Sequence, residues 1–244
     1  MSSAIAASPT IQNQILYALP EHVQNAIIEK AECVHLGFRE IVFQHDRPIP
    51  YVYFPETGVI STLVSMDDDS LVEIASIGNE SIAGLPVMLG VSSISQMAFC
   101  QVEGTAWRIP AKVARELTEQ YPELRAICQR AIIMLFELVS LNVGCYRNHT
   151  VEQRCARWLL RTHDRCQNQN FNLTQEFLSR MIGVSRTVVN SAATNLAKQS
   201  ILRYARGKIT IMEREKLEKC ACPCYAKMNT LIERVFEKTS LGLS

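Results

Sequence analysis

Between Arg47 and Arg108 the chain carries no lysine or arginine, and between Glu176 and Glu213 it carries no acidic residue. The first gap leaves a phosphate buried in that segment without a local cation, at a desolvation cost on the order of several kcal/mol. The second gap makes 174–210 a basic module, with six cations against one acid, although the whole chain has a formal net charge of only +1. Residues 1–120 are its opposite, with six Lys and Arg against fourteen Asp and Glu. An acidic front and a basic rear suit a sensor joined to a polyanion-binding end. Long apolar runs are also missing: Ala131–Phe136 is interrupted by Glu137, well short of the roughly 20 residues of a membrane span. Met1–Pro9 lacks a basic segment followed by an apolar one, so no secretory leader is expected. Nine cysteines, an odd number, then read as reduced cytoplasmic thiols filling small apolar spaces. A nucleophile–base–acid pattern, a phosphate loop and paired metal ligands are all missing, and Cys145 with His149 makes a poor dyad. No enzyme is expected.

What is present is concentrated in 173–200. Thr174 stands as an N-cap, with Gln175 and Glu176 in the first turn, and Phe177, Leu178, Met181 and Ile182 form one apolar face. Gly183 supplies the backbone freedom for a sharp stop. Ser185 then opens a second helix with Val189, Ala192, Ala193 and Leu196 as its buried stripe. The other face carries Arg186, Thr187, Asn190, Ser191 and Thr194, short polar groups and one guanidinium, as a helix in a DNA major groove requires. Downstream, Ile201–Ile211 reads as a hairpin with Arg206, Gly207 and Lys208 at its tip, where the cations would reach phosphates beside the groove. Two helices and a basic hairpin describe a winged helix.

The run Leu173-Thr174-Gln175-Glu176, then Gly183-Val184-Ser185-Arg186, then Val189 and Leu196, resembles the DNA-binding domain of the Crp/Fnr superfamily of bacterial transcription regulators. With the segments upstream, the resemblance covers nearly the whole chain. It implies that Arg186 reads a base edge, most naturally guanine, and that Ser185 holds a phosphate. Thr187 stands where many members have Glu, Val188 where many have Thr, and Ser191 where many have Arg, so the family's best-known operator is not expected. The resemblance also implies a cyclic-nucleotide-binding β-roll in the front half, where short strands separated by Gly and Pro run from about Val34 to Ile109. Tyr51–Phe54, Gly58–Val64 and Leu71–Ile77 are such strands, Asp67–Asp69 is a solvated tip, and Val102–Ala106 is a hairpin corner. Members that bind cyclic AMP carry Gly-Glu and then Arg-Ser in this region. Here Gly84 precedes Leu85, and Gln96-Met97-Ala98 replaces the arginine motif, so cyclic AMP binding is not expected.

Leu124, Ile127, Ala131, Met134, Leu138, Leu141 and Cys145 recur at alternating spacings of three and four after Tyr121-Pro122, a heptad seam that predicts a dimer interface on a long helix. The resemblance implies the same dimerisation and hence a pseudo-palindromic operator in double-stranded DNA. Arg154, Arg157, Arg161 and Arg165 form one helical row, which reads equally as a phosphate-contacting face or a solvated one. Cys220, Cys222 and Cys224 invite a metal or iron–sulfur hypothesis. Their single-residue spacing departs from the usual two-residue loops, and no fourth ligand stands nearby in sequence. No cofactor or metal is assigned.

The expected fold is α+β: a β-roll with flanking helices over 1–118, a dimerisation helix and hinge over 119–148, and a winged helix with a C-terminal helix over 149–244. The expected function is that of a cytoplasmic homodimeric transcription regulator with a sensory domain that does not take cyclic AMP, and with no membrane role. RNA polymerase is a partner if it activates. The DNA-contacting residues are Thr174, Ser185, Arg186, Thr187, Asn190, Ser191, Arg206 and Lys208. The alternative is a thiol- or iron–sulfur-based redox sensor using Cys220, Cys222 and Cys224.

Overall fold

The computed structural model describes residues 11–66, 71–166, 170–172, 174–205 and 208–237. The Asp67–Asp69 tip, Arg206 and Gly207 lie outside these residues.

Asn13 caps α1 (Gln14–Ala18) by accepting the Leu16 amide, and Pro20 separates it from α2 (Glu21–Ile28), as its missing N–H requires. The strand period starts earlier than Val34, with β1 (Glu32–Leu36). Then follow β2 (Ile41–Phe43), β3 (Tyr51–Pro55), β4 (Val59–Ser65), β5 (Leu71–Ile77), the short α3 (Leu85–Met88), β6 (Met97–Val102) and β7 (Gly104–Pro110). They pair antiparallel into two sheets, ordered β1-β7-β3 and β2-β6-β4-β5. Val102–Ala106 is therefore a corner but not a hairpin: β6 pairs with β2 and β4, and β7 pairs with β1 and β3. The chain passes Thr57 so closely there that any side chain at Gly104 would collide with its carbonyl.

Strand β4 is buried over five consecutive residues, Val59 to Leu63. Alternation is lost because the sheet is covered on both sides. Ile60, Ile77, Ala98 and Cys100 face the roll's own core, while Val59, Leu63 and Val102 join the core of the C-terminal module.

After α4 (Ala111–Gln120), which the strand-like reading of the front half did not foresee, Pro122 sits at the start of α5 (Pro122–Asn148). Gly144 does not interrupt this 27-residue helix. Its expected dimer seam is covered by the chain itself. Leu124, Ile127, Ala131 and Met134 are at most 2% exposed and Leu138 8%, packed with the roll, α4 and the C-terminal helix. Cys145 is buried beside Cys222 and Cys224, with Leu141 against them. The heptad spacing was thus the signature of an intramolecular core, which produces the same period. A second stripe of α5 is open, with Ile133 59%, Phe136 69% and Val143 67% exposed. By length and mean hydropathy alone (1.6) α5 meets the measure of a membrane span, which core helices also meet. Its buried face, however, is part of this chain's core.

Two residues separate α5 from helix α6 (Val151–Arg165), which opens with a capping box between Thr150 and Gln153. The module continues through β8 (Asn170–Asn172), α7 (Gln175–Ile182), α8 (Arg186–Lys198), β9 (Leu202–Ala205), β10 (Lys208–Ile211), α9 (Arg214–Cys220) and α10 (Cys224–Phe236). The basic hairpin forms as expected and gains a third strand, since β8 pairs with β10 in the order β8-β10-β9. Helix α10 packs Met228, Ile232 and Val235 chiefly onto α5, and Arg130 on α5 donates to the Val235 carbonyl at 2.9 Å.

Candidate nucleic-acid interface

Thr174 accepts the Phe177 amide at 3.1 Å and caps α7. Gly183 closes α7 in the left-handed conformation at φ 70°, which a side chain would disfavour. Three residues separate the helices, and α8 packs on α7 with Val189, Ala192, Ala193 and Leu196 buried. Arg154 of α6 donates to the Ile182 carbonyl at 3.1 Å, so a cation sits on the last turn of α7.

This packing leaves the opposite side of α8 open. Arg186, Thr187, Asn190, Ser191 and Thr194 are all exposed, as are Thr174, Ser185 and Lys208. Ser185 occupies the N-cap position of α8 without a side-chain capping bond, and the first turn contains no acid. The exposed hydroxyl and first-turn amides meet the positive end of the helix dipole, an arrangement that suits a phosphate oxygen. Val188, 44% exposed, adds an apolar spot of the kind that meets a thymine methyl. The wing's Lys208 lies at the start of β10, beside the tip.

The arginine row has a third role that neither sequence reading named. Arg154, Arg157, Arg161 and Arg165 are all 5–9% exposed; Arg154 bonds α7, Arg157 reaches the Met228 sulfur of α10, and Arg161 and Arg165 reach the roll. Arg165 donates to Glu80 through Nε at 3.2 Å and to the Ser76 hydroxyl and carbonyl at 2.6 and 2.9 Å, while Arg161 reaches Glu80 at 3.4 Å and Asn229 at 3.1 Å. Burial works against the charge on Glu80, but Arg165 and Arg161 outweigh it and hold its carboxyl below the usual range. Beside this pair, Trp158 donates to Glu73 at 3.1 Å, and Ser61 lies between Glu73 and Gln101. Burial pushes Glu73 up to about 7, opposed by Ser61, Trp158, Arg165 and Arg157. A row spaced by three and four residues signals a common face; only the three-dimensional structure shows that Glu80, distant in sequence, is the counter-charge of Arg161 and Arg165.

The cysteines are regrouped as well. Cys222 and Cys224 meet Cys145 and His149, with the four ligand atoms all within 4.8 Å of one another, whereas Cys220 is no member of the group. Two of the four ligands thus come from more than seventy residues upstream: Cys145 in the last turns of α5 and His149 at its C-cap. Cys145 donates to the Cys222 sulfur at 3.5 Å, which favours the thiolate at Cys222 and keeps Cys145 protonated.

A β-roll, a long helix and an exposed acid-free helix in a winged module together define a winged helix-turn-helix protein with a roll-shaped partner domain. Residues 153–220 match the Crp-like helix-turn-helix domain. The fold is similar to that of a Crp/Fnr-family transcriptional regulator from Eubacterium rectale, with TM-score 0.64 and 15% identity over 85% of this chain and 97% of that one. FixK2 from Bradyrhizobium japonicum gives TM-score 0.66 and 16% identity over 79% and 98%. CLP from Xanthomonas campestris, a regulator responsive to c-di-GMP, gives 0.60 and 14% over 79% and 99%. No curated protein matches the sequence. Residues 153–220 thus match a Crp-like helix-turn-helix domain, and the chain shares the fold of solved Crp/Fnr-family structures.

Proposed function

We propose that this protein is a homodimeric, sequence-specific DNA-binding transcription regulator acting in the cytoplasm, with double-stranded DNA bearing a pseudo-palindromic operator as its partner. The observation that carries this reading is the α8 surface, where Arg186, Thr187, Asn190 and Ser191 are exposed on a helix without an acid. Arg186 would read a base edge, while Thr174, Ser185, Arg206 and Lys208 would hold phosphates. The second copy would cover the open stripe of α5, where Ile133, Phe136 and Val143 recur at three and seven residues. Two copies then present two recognition helices to half-sites one helical turn apart.

The roll is read as a domain that does not take cyclic AMP. Between Arg47 and Arg108 it has no cation for the phosphate, and Leu85, Val87 and Met88 of α3 are buried in its core. Any signal would act by shifting the population of domain arrangements that fit the operator. If the regulator activates, it would touch RNA polymerase.

Selection of binding sites from a random duplex pool, with the wild type and Arg186→Ala at two salt concentrations, tests this reading. The wild type is expected to enrich a two-half-site palindrome, and the variant to lose discrimination at one base position by about 1–3 kcal/mol. Salt-sensitive, sequence-blind binding by both proteins would refute it.

A further inference from the structure

The four ligand atoms of Cys145, His149, Cys222 and Cys224 have the dimensions of a single-ion site. In a tetrahedron with zinc–sulfur bonds of about 2.3 Å and a zinc–nitrogen bond of about 2.0 Å, ligand atoms stand about 3.5–3.8 Å apart. The Cys145–Cys222 sulfur separation is 3.5 Å, Cys224 Sγ lies 3.7 Å from His149 Nδ1, and no ligand pair exceeds 4.8 Å. Thiolates bound to different irons of a cluster stand farther apart, because the iron–iron separation adds to the span. Three thiolates and one imidazole are the donor set of a structural zinc site. Buried Arg157 acts on Cys145, Cys222 and Cys224 with its positive charge, and would offset the single negative charge of a Cys3His–zinc centre.

The position of the group matters as much as its size. Cys145 and His149 stand at the end of α5, immediately before the hinge at Thr150. Cys222 stands between α9 and α10 and Cys224 opens α10, just after the residues that match the helix-turn-helix domain. The residues that match the helix-turn-helix domain, 153–220, lie wholly between the two ligand pairs. An ion here fastens both ends of that module to the end of the long helix. We propose that these four residues form a mononuclear, thiolate-rich binding site for Zn2+ that closes the winged module at its two ends and fixes the α5–α6 hinge. The site is independent of whether the module reads DNA, and its test needs no operator.

Full-length protein purified anaerobically, stripped with a chelator under thiol reductant and checked by circular dichroism, should be titrated with Co2+ and then Zn2+. The expected result is one Co2+ per chain, with the intense visible absorption and thiolate charge-transfer bands of a tetrahedral thiolate-rich site, displaced by one Zn2+. Zinc should also slow hydrogen exchange across 146–151. Cys222→Ser and His149→Ala should each weaken Zn2+ binding at least tenfold, whereas Cys220→Ser should leave it unchanged. Because Cys222→Ser could fail to fold, the wild-type titration and the Cys220→Ser comparison stand on their own. Folded apo-protein that takes up no stoichiometric Co2+ would overturn the proposal. So would iron with acid-labile sulfide bound by these cysteines, or a loss in Cys220→Ser as large as in Cys222→Ser.

Discussion

Replacing Glu73 by Gln should make the protein more stable at pH 8 and leave it nearly unchanged at pH 5. Glu73 is 6% exposed, receives the Trp158 indole N–H at 3.1 Å, and lies against the Ser61 hydroxyl, which also touches Gln101 Oε1. One hydroxyl has one proton, so Ser61 is able to donate to only one of its two oxygen neighbours. A protonated Glu73 resolves the conflict by donating to Ser61, which donates on to Gln101. Burial raises Glu73 from 4.5 to about 7, against the opposing effects of Ser61, Trp158 and the two arginines. The native state therefore binds the proton more tightly than the unfolded chain. The stabilisation is fully present below pH 4.5 and is lost as pH rises through 7. At about 1.4 kcal/mol per unit over this interval, roughly 3 kcal/mol is lost once Glu73 is ionised. Gln keeps the oxygen that accepts from Trp158 and never ionises. Urea unfolding of both proteins at pH 5, 6, 7 and 8, followed by far-ultraviolet circular dichroism, would give a difference that grows with pH, because shared titrations cancel. A pH-independent difference, or a variant less stable than wild type at pH 8, would refute the protonated network.

Other perturbations give separate tests. Arg165→Ala removes the closest partner of buried Glu80 and should cost about 3–5 kcal/mol in urea unfolding, with Glu80→Gln in the same background recovering part of it. Phe136→Glu places a charge on the open stripe of α5; sedimentation velocity should show a shift from dimer to monomer with an unchanged circular dichroism spectrum. Thr174→Ala deletes the cap on the Phe177 amide and should lower stability by about 1 kcal/mol as well as weaken DNA binding.

The winged module was legible because each of its signals is local. A cap at Thr174, a glycine at 183 and two apolar stripes at helical spacing specify α7, the turn and α8 without reference to the rest of the chain. The roll was legible in kind, but its sheet membership was not. The turn at Glu103 looks the same whether the next strand pairs with the last or moves to the other sheet. The stripe on α5 was read correctly as buried and wrongly as to what buries it. A heptad seam reports only that one face is apolar, and here the roll and α10 cover that face before any partner arrives. The cysteine grouping was hidden for a related reason: spacing in sequence brings together only local groups, and Cys145 and His149 come from the distant end of α5.

The arginine row explains why the two halves are one structure. Most surface arginines are replaceable, because an exposed ion pair contributes at most about 1 kcal/mol. Arg161 and Arg165 sit between a roll that has no cation of its own from Arg47 to Arg108 and a module whose first helix supplies them. Glu80 and Glu73 of the roll are buried where the α6 side chains reach them. Neither carboxyl would remain buried if α6 withdrew, and neither arginine of the Glu80 pair would keep its counter-charge. The geometry of the joint is thus set by charge complementarity as well as by apolar contact. A rotation of the module about Thr150 has to break the Arg165–Glu80 and Trp158–Glu73 contacts together. The acidic front and basic rear of the sequence therefore meet in a single buried seam, and the exposed α8 surface is the part of the basic half left for a polyanion.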